Sequence, residues 1–218
     1  MGLQRSHGYF ASPPEGKGPG VLVLHAWWGL NDTIKAFCSR VARSGFSVFA
    51  PDLYHGKIAE TIPEAEALVK LLNKNEQLAR SEIEDAALYL AVRSGHLDNL
   101  AIVGFSLGAY YALEHSTSDP DHIRAVVVYY GTGGGMDFKK SRAAYLGHFA
   151  ENDPFEPRAG VDELEQTIQK AGRPVTFHHY PGTGHWFAEP DRTDAYNKAA
   201  AELAWDRTLE FLRNPATS

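Results

Sequence analysis

The chain has 218 residues, 44% of them hydrophobic and 22% charged, enough for one globular domain with a substantial core. A formal net charge of -6, with no basic cluster longer than Lys139-Lys140, argues against nucleic acid or an anionic membrane as a partner. The longest apolar run, Val21 to Leu30, is too short to span a bilayer, and the single Cys38 rules out an internal disulfide. The N-terminus lacks the charged and apolar regions of a signal peptide, so a cytoplasmic setting is expected. Met1-Gly2-Leu3-Gln4-Arg5-Ser6 matches the literal myristoylation pattern, for which coincidence is the simpler explanation. With no obvious exposed apolar helix, the default expectation is a monomer.

Strands and helices alternate along the whole chain, which predicts an α/β fold: a mostly parallel sheet with helices on both faces, and one domain over residues 1–218. His7 to Ser12 reads as a leading strand, Pro13 to Gly20 as a turn region and Gly20 to His25 as a buried strand. Asn31 or Asp32 caps a helix with Ile34, Phe37, Cys38 and Val41 on its apolar face, ending at Gly45, and Phe46 to Ala50 is the next strand. Helical patterns follow at Pro63 to Asn73 and Glu76 to Ser94, then a strand at Leu100 to Phe105. Later strands are predicted at Ile123 to Tyr130, Ala143 to Ala150 and Val175 to Tyr180, with a helix near Val161 to Ala171 before the last. A helix over Arg192 to Leu212, with Trp205, Leu209 and Leu212 on one face, closes the chain.

The strand ending at Phe105 delivers Gly104-Phe105-Ser106-Leu107-Gly108, a Gly-x-Ser-x-Gly turn that reads as a nucleophile elbow. A serine held there projects its hydroxyl beyond the sheet, and glycines flank it because side chains two residues away would collide. The five-residue pattern also occurs in ordinary turns, so it gains meaning only with a base and an acid. Beyond the Ala143 to Ala150 strand, Glu151-Asn152-Asp153-Pro154-Phe155 supplies an acid; beyond the last strand, Pro181-Gly182-Thr183-Gly184-His185 supplies a histidine. Ser106, Asp153 and His185 then follow the chain order Ser, Asp, His of an α/β-hydrolase. Asp153 could instead be a turn former ahead of Pro154, with Glu151 as the competing acid; the strand is expected to end just before Glu151. His178 and His179 fall inside the predicted strand, away from the end of the sheet.

A second oxyanion donor normally comes from the loop after an early strand, here His25-Ala26-Trp27-Trp28-Gly29. The backbone N–H groups of Trp27 and Leu107 are the candidate pair. The indoles of Trp27 and Trp28 either wall an acyl pocket or pack over the sheet, and His25 is expected to buttress the loop rather than to react. No cluster of Cys, His or carboxylate at ligand spacing predicts a metal site. Gly131-Thr132-Gly133-Gly134-Gly135 lacks the lysine of a phosphate-binding loop and reads as a flexible loop near the site. Cys38 reads as core; Arg80 would reach a substrate only if its helix borders the cleft.

From Val21 to Phe211 the chain resembles the dienelactone hydrolase family of α/β-hydrolases. The resemblance rests on His25-Ala26-Trp27-Trp28-Gly29-Leu30-Asn31, Pro51-Asp52-Leu53-Tyr54, Gly104-Phe105-Ser106-Leu107-Gly108, Asn152-Asp153-Pro154 and Gly184-His185-Trp186-Phe187, in the family's order and approximate spacing. It implies an α/β-hydrolase fold without a separate lid domain, no cofactor, and attack on a small-molecule ester or lactone. It also supports Trp27 and Leu107 as oxyanion donors, puts Tyr54 near the site, and leaves Trp28 and Trp186 as candidate substrate contacts. Family members carry cysteine at the elbow, a glutamate near the oxyanion loop and, where they bind a carboxylated lactone, an arginine after the histidine. The matching positions here are Ser106, Ala26 and Glu189. A serine relies on a coupled base where a thiol ionises, and a carboxylate at Glu189 is expected to repel an anionic substrate. The same groups would also serve a thioesterase, peptidase or acyltransferase, and a silent scaffold that only binds ligand is the alternative outside enzymes.

Overall fold

The structure is a computed structural model in which residues 7–215 are described; the Met1 to Ser6 pattern lies outside them. Seven strands form one sheet in the order β1-β3-β2-β4-β5-β6-β7. They are β1 (Gly8–Ala11), β2 (Gly20–Leu24), β3 (Ser47–Pro51), β4 (Leu100–Phe105), β5 (Ile123–Tyr129), β6 (Ala144–Asn152) and β7 (Val175–Gly184). Only the edge strand β1 is antiparallel, and the other pairings are parallel. The helices are α1 (Asp32–Arg43), α2 (Ile62–Lys74), α3 (Glu76–Ser94), α4 (Leu107–Ser118), α5 (Arg158–Lys170) and α6 (Lys198–Arg213).

Continuous apolar strands are what a sheet covered on both faces requires, and β2 shows how one strand serves two cores. Val21 and Val23 point into a cluster with Ile34, Cys38 and Val41 of α1 and Trp205 and Phe211 of α6. Leu22 and Leu24 point the other way, against Ile83 and Leu90 of α3 and Leu113 of α4. All four β2 side chains are fully buried. Each contributes about 1.5–3 kcal/mol, which makes the sheet centre rigid enough to hold strained turns at its rim.

The chain leaves β2 through α1 to β3 on one side, then crosses back so that β4 lies on the other side of β2, with Leu24 paired to Gly104. Such a reversal opens a crevice at the carboxyl ends of the two strands. It brings the loop after β2 beside the turn after β4.

Most elements differ from the sequence-based expectation by one to three residues at an end, and three boundaries bear on the site. Strand β6 continues through Glu151 to Asn152, and β7 continues past Tyr180 to Gly184, because the two extend together and Asn152 pairs with Gly184 after a register shift. The last helix begins at Lys198 rather than Arg192. Residues 192–197 instead form turns, with the Tyr196 N–H donating to the Arg192 carbonyl and the Asn197 N–H to that of Phe187. Asn197 then caps the helix by accepting from the Ala200 N–H at 3.1 Å.

Candidate active site

Ser106 stands between β4 and α4 with φ 50° and ψ -111°, a strained backbone for a residue with a side chain. Its N–H donates to the Tyr129 carbonyl at 2.9 Å and its carbonyl accepts from the Ala109 N–H at 2.8 Å, so the turn is held from both flanks. A Cβ on Gly104 would collide with the backbone of Gly108, and one on Gly108 with the carbonyl of Leu24, so both glycines are required by close backbone approach. The helix N-terminus that follows favours negative charge in front of the serine.

The Ser106 Oγ lies 2.9 Å from His185 Nε2, and His185 Nδ1 lies 2.7 Å from Asp153 Oδ2. The Asp153 carboxylate accepts only, so Nδ1 carries the proton and Nε2 faces the serine hydroxyl as an acceptor. The paired residues Asn152 and Gly184 immediately precede Asp153 and His185, so extension of β6 and β7 brings acid and base together. The other Asp153 oxygen accepts from the backbone N–H groups of Phe155, at 2.9 Å, and Glu156, at 3.1 Å. The residue that shapes the turn and the residue that meets the imidazole are thus one, using different oxygens. Glu151, still on the strand and exposed, is tied to the Gly182 N–H at 2.8 Å instead. His178 stacks on His148 and His179 on Phe149.

His25 is fully buried, and burial lowers its pKa. Its Nε2 accepts from the Leu53 N–H at 3.3 Å, so Nδ1 is the donor to the Ala26 carbonyl at 2.7 Å. The Gly29 N–H donates to that same carbonyl at 3.1 Å. The Ala26 carbonyl and the Trp27 N–H share one trans peptide plane and point in opposite directions, so pinning one orients the other. Among the described residues neither the Trp27 nor the Leu107 N–H has a hydrogen-bond partner.

Aromatic rings surround the imidazole. Phe155 and Trp186 each lie 4.9 Å from the His185 ring, and Tyr130 lies 5.0 Å from it. Trp27 stacks on Trp186 at 5.8 Å and meets Phe155 at 5.7 Å. Trp27 and Trp186 are half-buried, and Phe155 is 49% exposed at the rim. Trp28 is only 3% exposed, packed against both tryptophans and covered by the Arg192 guanidinium, so of the two readings for this indole the structure gives packing. Tyr54 likewise has a supporting place. Its ring lies against His25, it lines a cavity of about 290 Å³ with Leu68, Leu72 and Ala79, and among the described residues no hydrogen bond or ring contact joins it to the triad. Arg80 is taken up by Glu76 and Glu114.

Glu189 corrects the expectation of a carboxylate facing substrate. It is fully buried, accepts one hydrogen bond from Tyr130 Oη at 2.8 Å, and leaves its second oxygen without a partner. Burial pushes its pKa up to about 8, so near neutral pH it is largely uncharged. The acid that stands beside the triad is Glu156, three residues after Asp153. It accepts from Thr132 Oγ1 at 2.6 Å, and burial raises its pKa. No sequence signal separated Glu156 or Thr132 from ordinary loop residues, or Tyr130 from the end of a buried strand; only the Gly131 to Gly135 run marked the neighbourhood. A Cβ on Gly131 would lie 2.5 Å from the Ser106 carbonyl, so that loop packs against the elbow.

Among the described residues no group of three or more His, Cys, Asp or Glu side chains gathers to hold a metal, and no helix is long and apolar enough to cross a membrane. The profile of the dienelactone hydrolase family matches residues 6–215. The chain is 31% identical to protein usf of Aquifex pyrophilus over 217 residues, covering 96% of this chain and 94% of that one. It is 28% identical to an Aquifex aeolicus protein provisionally named carboxymethylenebutenolidase, covering 94% and 92%. Among solved structures, a dienelactone hydrolase-like promiscuous phosphotriesterase from metagenomic libraries superposes with a TM-score of 0.85 at 19% identity, covering 94% and 91%. The chain belongs to the dienelactone hydrolase family and is a hydrolase of the α/β-hydrolase fold.

Proposed function

We propose that this hydrolase cleaves a small carboxylic ester or lactone through a serine acyl-enzyme. The observation that carries the reading is the continuous line from Ser106 Oγ to His185 Nε2 at 2.9 Å and from His185 Nδ1 to Asp153 Oδ2 at 2.7 Å. In this reading His185 takes the Ser106 proton as Oγ attacks the carbonyl carbon, and Asp153 holds the imidazole in its productive tautomer. The Trp27 and Leu107 N–H groups receive the oxyanion, each donor contributing about 2.7–4 kcal/mol. His185 then returns the proton to the leaving alkoxide, and water attacks the acyl-enzyme with His185 again as base, restoring Ser106. The name carboxymethylenebutenolidase carried by a relative supports a lactone or ester carbonyl as the target. In this reading the enzyme is cytosolic, monomeric and single-domain, and the buried thiol of Cys38 is kept protonated by desolvation.

The test is hydrolysis of a p-nitrophenyl ester series of increasing acyl length by the wild type and by Ser106→Ala, with fluorophosphonate labelling of both. The expected result is turnover and labelling in the wild type and a loss of about 10⁴-fold or more in the variant. Equal activity in both proteins would remove Ser106 as nucleophile.

A further inference from the structure

Two kinds of side chain gather around the triad. The rings of Trp27, Phe155 and Trp186 pack on one another, and Phe155 and Trp186 lie against His185. Thr132 and Glu156 join the loop packed on Ser106 to the loop that carries Asp153, through the 2.6 Å bond from Thr132 Oγ1 to Glu156 Oε2. Glu156 is fixed at its backbone as well, since its N–H donates to Asp153 Oδ1. Among the described residues it has no ion pair with an arginine or lysine, and the charged groups that act on it are His185 and Asp153. Asp153 has its own three donors. Glu156 is therefore a half-buried carboxylate without a basic partner, anchored beside the imidazole, next to the rim residue Phe155.

We propose that Glu156 selects the substrate by charge, so that the site takes esters carrying an ammonium group close to the scissile bond and disfavours carboxylated ones. This inference rests on the hydrolase reading above. A fixed anion in a partly desolvated site attracts a cation and repels an anion, and the effect is larger than in water because fewer dipoles screen it. Aromatic rings packed around the same imidazole add to the attraction for a cation and do nothing for an anion. Rejection of anions then falls to Glu156, while Glu189 is sealed in the interior.

The experiment compares isosteric esters whose charge alone changes: the acetates of choline, 3,3-dimethylbutanol and 2-hydroxyethanesulfonate, and a second trio with the charged group on the acyl side. We expect kcat/KM in the wild type to fall from cation to neutral to anion by about tenfold per step in at least one trio, the contrast shrinking as ionic strength rises. Glu156→Gln should compress the ranking, and Glu156→Asp, which keeps the charge, should retain most of it. Thr132→Val, which releases the carboxylate from its anchor, should weaken it and serves if Glu156→Gln does not fold. Ser106-dependent turnover with no ranking in either trio would overturn the proposal and leave the hydrolase reading intact. A ranking that persists unchanged in folded Glu156→Gln would overturn the assignment to this residue. Absence of both turnover and fluorophosphonate labelling would overturn the hydrolase reading, and the proposal with it.

Discussion

Two loops flank the candidate base, and each buries a carboxylate with opposite consequences. The Asp153 side chain is 2% exposed, and three N–H donors, from His185, Phe155 and Glu156, take the place of water. Glu189, four residues beyond His185, is as deeply buried but has one donor, Tyr130, and an oxygen with none. Its pKa is pushed up to about 8. Burial removes water from both acids, but protein donors replace it at Asp153 and leave one oxygen of Glu189 without any. One loop thus surrounds its carboxylate with donors beside an imidazole, and the other seals an under-donated acid in the interior.

The strongest way to break the contrast is at its polar side. Asp153→Asn keeps the shape but offers an amide N–H where Nδ1–H needs an acceptor, or forces the other tautomer. We expect kcat to fall by about 10⁴-fold with little change in Tm, measured by steady-state kinetics and thermal melts. At the apolar side the handle is pH. Glu189 has its folded pKa raised to about 8, whereas in the unfolded chain it titrates near about 4.3. Between those values the folded state keeps a proton that the unfolded state has lost. The associated stability is fully present below about pH 4.3 and is lost as pH rises through about 8, at up to about 1.4 kcal/mol per pH unit. Glu189→Gln imitates the protonated acid and does not titrate, so its stability relative to wild type should improve from pH 5 to pH 9; a constant difference would reject this account.

Smaller changes sharpen the comparison. Tyr130→Phe removes the one side-chain donor to Glu189 among the described residues and should cost about 1–3 kcal/mol at pH 7, read by urea unfolding, while steepening the loss toward alkaline pH. At the rim, Phe155→Ala should shift stability by less than about 1 kcal/mol, because the ring is 49% exposed. Its effect should appear as a higher KM for bulky esters.

Periodicity and turn chemistry carried the strands and helices, because a strand buried on both faces and an amphipathic helix leave local marks. Ser106, Asp153 and His185 were legible because each follows a strand, and the glycines at Gly104 and Gly108 answer a local steric need. Where the reading failed, the cause was long-range. The extension of β6 and β7 depends on pairing between Asn152 and Gly184. The late start of α6 depends on the Asn197 N–H reaching back to Phe187. Trp28, Tyr54 and Trp186 share an aromatic character that says nothing about which face of a loop each ring takes, and tertiary packing set two behind the site and one beside it.

The two glutamates mark the limit most clearly. By itself the sequence determined most of the strands and helices and the three candidate side chains that follow strands, since these follow from steric and periodic rules acting over a few residues; that Asp153 and His185 meet depends on the long-range pairing of β6 and β7. Only the tertiary structure decided that Glu189 turns inward to Tyr130 while Glu156 stands against Thr132 beside His185. Whether a carboxylate is solvated, paired or sealed depends on donors contributed by distant segments, and no local pattern encodes them.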